Sequence, residues 1–118
     1  MLRLLTIIAV SSGLMFASEI LNENELAAFF KNSLSNEKSY GFESIKLHAT
    51  KEMKYPVGWR AYFITLKFKV ADKEIELKEI VFSDSKIISR DFIVLKNAKS
   101  FKNELFDKWN ENIQKDAK

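Results

Sequence analysis

Few side chains of this chain are equipped for chemistry, and they are scattered. His48 is the only histidine and sits in an alternating apolar and polar run with no acidic neighbour in sequence. A general base or metal ligand needs such partners, so the pattern points to a surface or edge-strand histidine. Asp84 and Asp91 flank a turn and could meet as a carboxylate pair for acid–base work, yet turn aspartates ordinarily accept hydrogen bonds from local backbone N–H groups. Gly13, Gly41 and Gly58 are isolated, which leaves no phosphate-cradling loop, and no serine lies in a nucleophile elbow. The chain has no cysteine, so disulfides, thiolate metal sites and redox chemistry of its own are excluded. These residues describe a non-enzyme that needs no cofactor and no metal.

The most unusual local feature is the run Tyr55 to Tyr62, where Pro56-Val57-Gly58 is followed by Trp59, Arg60 and Tyr62. Two readings stand side by side. As a binding surface, Tyr55, Trp59, Arg60 and Tyr62 would set aromatic rings and a cation beside a rigid turn, suited to docking a protein or ligand. As structure, Trp59 would close the end of the core and Arg60 would cover it.

The elements that must position these groups can be read from periodicity. Asn22 with Glu25 forms a capping box, Leu21 and Leu26 take the staple positions, and Leu26, Phe29, Phe30 and Leu34 line one helical face. This predicts a helix over Glu23 to Leu34, ended by Ser35 to Gly41. From Phe42 the period becomes two: Ile45, Leu47 and Ala49 alternate with Lys46, His48 and Thr50. Tyr55 to Gly58 reads as a turn with Pro at its second position and Gly at its fourth.

The clearest strand follows, with Tyr62, Ile64, Leu66, Phe68 and Val70 on one face and Phe63 as the exception. Ala71 to Lys73 turns without glycine into a facing strand carrying Ile75, Leu77 and Val81. Ile80 and Phe82 fall on the opposite parity, which calls for a bulge or a second buried face. After Ser83 to Ser85 a fourth extended segment starts at Ile87 and reaches toward Leu95, interrupted near Arg90 and Asp91. From Ser100, Phe101, Leu105, Trp109 and Ile113 recur every four residues with Phe106 beside them, a helix whose stripe suits a core or docking surface. The expected fold is α+β: an N-terminal helix packed on a four-stranded antiparallel sheet, with a C-terminal helix.

The first residues read as an export signal: Arg3, then an apolar run from Leu4 to Phe16, then a cut after Ala17 or Ser18. That run is shorter than the roughly 20 residues that span a bilayer, so no stable membrane span is expected after processing. The domain division is then a signal peptide at 1–17, an α+β domain at 18–99, and a helix and tail at 100–118. The full chain carries a formal charge of +3, and Arg3 leaves with the signal. Lys73, Glu74, Glu76, Lys78 and Glu79 interleave both signs, which describes a solvated face and argues against nucleic acid as a partner.

The run from Tyr55 to Asp91, with Pro56-Val57-Gly58-Trp59, a long strand, Ile80-Val81-Phe82-Ser83-Asp84-Ser85-Lys86-Ile87-Ile88 and then Phe92 to Ser100, resembles the N-terminal dimerisation domain of periplasmic disulfide isomerases of the DsbC/DsbG type. The resemblance implies a cystatin-like sheet behind a short first helix, and a tail matching the family's linker helix. It also implies a homodimer in which Lys86, Ile87, Ile88, Ser89, Arg90 and Asp91 supply the pairing edge around an apolar client cleft. Two departures stand out: the thioredoxin domain with its Cys-x-x-Cys pair is absent from this chain, and Arg90 stands near a position where the family often has glycine.

The expected function is therefore a non-catalytic, periplasmic interaction or dimerisation module, connected with protein folding or disulfide maintenance, whose partner is a second copy or another periplasmic protein. The competing expectation is a small-ligand carrier of the NTF2-like kind, marked by a pocket of at least about 300 Å³ on the concave face of the sheet. A cystatin-like protease inhibitor would need a wedge-like hairpin loop, for which Ala71-Asp72-Lys73 offers little.

Overall fold

Strand β2 (Arg60–Val70) shows no alternation of burial over its first half, where Ala61, Tyr62, Phe63 and Ile64 are all fully buried. A strand apolar on both sides must be covered on both faces, and this requirement organises the molecule. The computed structural model describes residues 20–34 and 41–117; the expected signal peptide, its cleavage site and the expected helix-ending segment from Ser35 to Tyr40 lie outside the described residues. In chain order the other elements are α1 (Glu23–Ser33), β1 (Gly41–Glu52), β3 (Lys73–Ser83), β4 (Ile88–Ser89), α2 (Phe101–Asp107) and α3 (Trp109–Ala117). The strands make one antiparallel sheet in the order β1-β2-β3-β4. The fold is α+β as expected, with two short C-terminal helices in place of one.

Helix α1 begins at the capping box: the Glu25 N–H donates to Asn22 Oδ1 at 2.8 Å and the Asn22 N–H to Glu25 Oε1 at 2.9 Å. Its apolar side lies on the first face of the sheet, where Leu26, Ile45, Tyr62, Ile64, Leu66 and Val81 form one core cluster. The Tyr62 hydroxyl, buried beneath, accepts the Leu21 N–H at 2.9 Å and ties the helix entrance to β2. Glu23 reaches across to accept the Leu47 N–H at 2.7 Å.

The second face answers the question of parity posed by Ile80 and Phe82. Register between β2 and β3 is unbroken from Arg60↔Ser83 to Val70↔Lys73, so no bulge lies there. Ile80 and Phe82 instead join Ala61, Phe63 and Trp109 in a second buried cluster beneath α2 and α3. The bulges fall in β1, between Phe42 and Ser44 and between Leu47 and Ala49. The second one changes the face on which the chain continues, because an extra residue shifts the period-two alternation. Ala49 therefore packs into the second cluster and not, as the alternation predicts, beside Ile45 and Leu47.

Three further differences from the sequence expectation have local causes. The turn before β2 is displaced by one residue: the Trp59 N–H donates to the Pro56 carbonyl at 3.4 Å. Gly58, with φ +88°, thus takes the third position, where a positive φ is required of type II turns. The fourth strand stops at Ser89 because the Asp91 carboxylate takes up the Phe92 N–H at 2.7 Å and the Lys102 N–H at 3.0 Å, drawing the backbone away from the sheet. The C-terminal helix breaks at Lys108 (φ −117°, ψ 31°), which sets Trp109 stacked on Phe106 at 5.5 Å and edge-on to Phe63 at 5.3 Å.

The loop between β2 and β3 has two residues, Ala71 at φ 49° and Asp72 at φ 68°, the handedness of a type I′ hairpin turn made without its preferred residues. Replacing Ala71-Asp72 by Asn-Gly removes a left-handed alanine, and the urea midpoint should rise by the equivalent of about 1 kcal/mol with an unchanged slope. Trp109→Ala empties the centre of the second cluster and should cost about 3 kcal/mol in the same measurement; a loss under about 1 kcal/mol would show the second face to be dispensable.

Candidate functional site

A helix is about 10 Å across and strands lie about 4.8 Å apart, so one helix covers roughly two strands. The second face carries two helices, with α3 against β1 and α2 against β3. Among the described residues the first face carries α1 alone, set against β1. No helix of the described residues covers the β3 and β4 side of that face, and there an apolar cleft of about 480 Å³ opens. Phe29, Phe30 and Leu34 of α1 and its end form one wall. Leu66 and Phe68 of β2 with Leu77 and Val81 of β3 form the floor, and Ile88 and Arg90 close the far side. A second hollow of about 380 Å³ shares Phe29 and Ile88 with it and runs along α1 toward Leu21 and Lys86. Phe29 is 39 % exposed and Leu77 49 %, so the cleft is open to solvent along its β3 side.

Few polar groups line the main cleft. Glu79 turns around the sheet edge, where its Oε1 lies 2.8 Å from Lys102 Nζ and also accepts the Ile80 N–H at 2.9 Å. Arg90 is exposed at the cleft mouth and Ser33 stands on the helix wall. The site thus has apolar area and one available cation, and no pair of groups placed for proton transfer.

The residues singled out around the Pro-Val-Gly turn are not brought together on one surface. Tyr55 is 73 % exposed at the turn, whereas Tyr62 is wholly buried in the first cluster. Burial raises the Tyr62 phenol above its ordinary value, opposed by the Leu21 N–H. Trp59 packs in the second cluster, edge-on to Phe92 at 4.9 Å, as the core-closing reading has it. Arg60 donates from Nη1 to Thr50 Oγ1 at 2.8 Å, and its buried Nε makes no hydrogen bond among the described residues.

Along the expected pairing edge only Ile88 and Ser89 are in a strand, bonded to β3 through Ser83 and Phe82. Lys86 and Ile87 belong to the preceding turn, where their N–H groups donate to Asp84 Oδ1 at 2.9 and 3.0 Å. Asp91 is engaged within the molecule: besides its two backbone donors, its Oδ2 accepts from Ser100 Oγ at 2.5 Å, the same hydroxyl that caps α2 through Asn103. Asp84 and Asp91 are each committed to local N–H groups and form no pair. The Ile87 and Lys86 N–H groups hold the Asp84 carboxyl below its ordinary value.

A pocket on the concave face is the competing expectation of the sequence, but the place and lining of this cleft escape it. Its only sequence signal is Ile75 and Leu77, apolar residues of a strand pattern left without helix cover, and that deficit shows only when helices are counted per face. No group of three or more His, Asp or Glu able to hold a metal occurs among the described residues, nor does any helix long and apolar enough to cross a membrane. Compared with known proteins, the chain matches no family model, no curated sequence and no solved structure.

His48 sits in the β1 bulge, half-buried on the second face, with Nε2 2.7 Å from Thr65 Oγ1 and its ring 6.0 Å from Trp109. Burial, then Lys46 and Lys78, lower its pKa from the ordinary 6.5, against a small opposing effect of Glu23. The folded state therefore binds this proton less readily than the unfolded chain does. The stabilisation is complete above the unfolded value and is lost as pH falls from there through the folded value. Melting temperature should decline between about pH 7.5 and about pH 5 in the wild type and decline less in His48→Gln; parallel curves would remove His48 as the source.

Proposed function

We propose that this protein is a non-catalytic interaction module of the periplasm, which receives apolar stretches of partner polypeptides in the cleft between α1 and the β3–β4 side of the sheet. The observation that carries this reading is the half of the first face that no described helix covers, about 480 Å³ of cleft walled by Phe29, Phe30, Phe68, Leu77 and Ile88. An enclosed ligand site buries most of its ligand's surface, whereas this cleft is open along one side and continues into a second hollow. Such a groove suits a segment that enters and leaves it. The apolar first residues, read as an export signal, support a periplasmic location, and the resemblance to the isomerase dimerisation domain supports a role in protein folding there.

The second reading is a carrier of a small apolar molecule, favoured by the cleft volume, which lies within the range of ligand sites. The two separate on one titration of the purified protein, followed by anisotropy of a dye-labelled polypeptide kept unfolded by alkylation of its cysteines. On the polypeptide reading, Phe29→Ser and Leu77→Ser each weaken binding about tenfold, the equivalent of one lost apolar contact. Tyr55→Ala, remote from the cleft, leaves binding within about twofold. Absence of binding, or indifference to both cleft substitutions, would overturn it; dodecanoate binding lost in the same two variants would then support the carrier.

A further inference from the structure

The outer edge of β3 has no partner strand among the described residues over most of its length. The β4 pairing reaches only Phe82 and Ser83, and residues 73–78 are all exposed, with Ile75 44 % and Leu77 49 % accessible. An open edge carrying apolar side chains invites a further strand. Its composition and its free backbone groups say which strand that is.

The outward-facing groups can be assigned. The Ile80 N–H is satisfied by the carboxylate of Glu79 and so points away from β2. Hydrogen-bonding direction alternates along an antiparallel strand, which makes Lys78, Glu76 and Glu74 the other residues whose N–H and C=O face outward. A second copy pairing about a two-fold axis must set these even positions against one another. With the axis on Ile75, Glu74 meets Glu76 of the other copy and Lys73 meets leucine. With the axis on Leu77, Ile75 meets Glu79. Only with the axis on Glu76 are the flanking rungs free of mismatch: Glu74 opposes Lys78 and Ile75 opposes Leu77, each twice by symmetry, while Lys73 falls opposite Glu79, whose carboxylate stays with Lys102 of its own chain. The central Glu76 pair is the one like-charged rung, and each Glu76 has Lys67 of its own β2 at 3.8 Å.

The same register agrees with where the edge ends. It sets the Ala71-Asp72 turn of the second copy opposite Ile80 and Val81, immediately before β4 takes over the edge at Phe82. The Ile80 N–H, just beyond the last rung, is already capped by Glu79. We propose that the protein forms a two-fold homodimer by antiparallel pairing of β3 with β3 of a second copy, centred on Glu76. This surface is distinct from the Lys86–Asp91 segment. It extends the interaction reading above by naming an assembly partner: a two-fold axis normal to the sheet puts both clefts on one face, with Ile75 and Leu77 of each copy between them.

Sedimentation velocity of the purified protein tests self-association, and three substitutions test the register. Glu74→Lys and Lys78→Glu each create two like-charged rungs and should weaken the dimer about tenfold, while the double variant restores both rungs and should return to within about threefold of wild type. Glu76→Cys places the only thiols of the assembly in a hydrogen-bonded pair with Cα atoms about 5.5 Å apart, within disulfide range. It should form a covalent dimer under mild oxidation, and Lys73→Cys should not. A monomer at about 100 µM, or a double variant no better than either single one, would overturn the pairing. A monomer that still binds the unfolded polypeptide would reject the dimer and leave the cleft reading standing; a rescued dimer that binds none would do the reverse.

Discussion

Burial of β2 on both of its sides is the constraint from which the rest of the molecule follows. Tyr62, Ile64 and Leu66 require a layer over one face, and Ala61 and Phe63 require another over the opposite face. Without disulfides, a domain of this size rests chiefly on apolar burial to offset its chain entropy. The aromatic complement is accordingly concentrated on the second face, where Trp109 meets Phe63, Phe106 and the ring of His48. The segment that the family resemblance would make a linker lies against this face. Lys78 adds its ammonium 5.0 Å from the Trp109 ring, over a position that its own strand leaves exposed.

Among the described residues, two helices on one face and one on the other make the sheet unequal, and the unequal cover is the source of both candidate surfaces. Where α1 ends its coverage, the floor residues Leu66, Phe68, Leu77 and Val81 remain as a cleft. Where β4 is cut to two residues, the backbone of β3 remains as an edge. The short β4 traces to Asp91, whose carboxylate gathers N–H groups from Phe92 and Lys102 and so anchors the start of α2. One side chain thus shortens the fourth strand, opens the edge and secures the helix that closes the second face. Leu77 belongs to the cleft and to the edge together, which joins the two surfaces physically.

The polar groups with chemical potential are occupied in holding this arrangement. Asp84 closes the turn into β4, Asp91 organises the turn out of it, and His48 fills the β1 bulge against Thr65. Arg60 bridges to Thr50 on the neighbouring strand. Glu79 and Lys102 pair across the sheet edge with both side chains largely buried, so their mutual attraction is less screened than that of Lys67 and Glu76 on the surface. What faces solvent in concentrated form is apolar area and unpaired backbone, the materials of recognition.

Local pattern was sufficient for the helix start at Asn22, for three of the strands and for the apolar stripe of the tail, because capping and periodicity act between residues a few positions apart. The odd parity of Phe63, Ile80 and Phe82 even announced a second buried face without distinguishing it from a bulge. Of the two bulges in β1, the one at Leu47 to Ala49 that turns the chain to the second face was invisible because nothing in that run breaks the alternation; it shows only in the pairing with β2. The place of the cleft and the bare β3 edge were equally hidden, since each is an absence of cover and depends on where distant elements lie. The sequence by itself determined that this is a cysteine-free α+β chain with more apolar strand surface than one helix can shield. Only the tertiary structure decided which half of which face, and which strand edge, would be left open, because that follows from the width of helices and the length of β4.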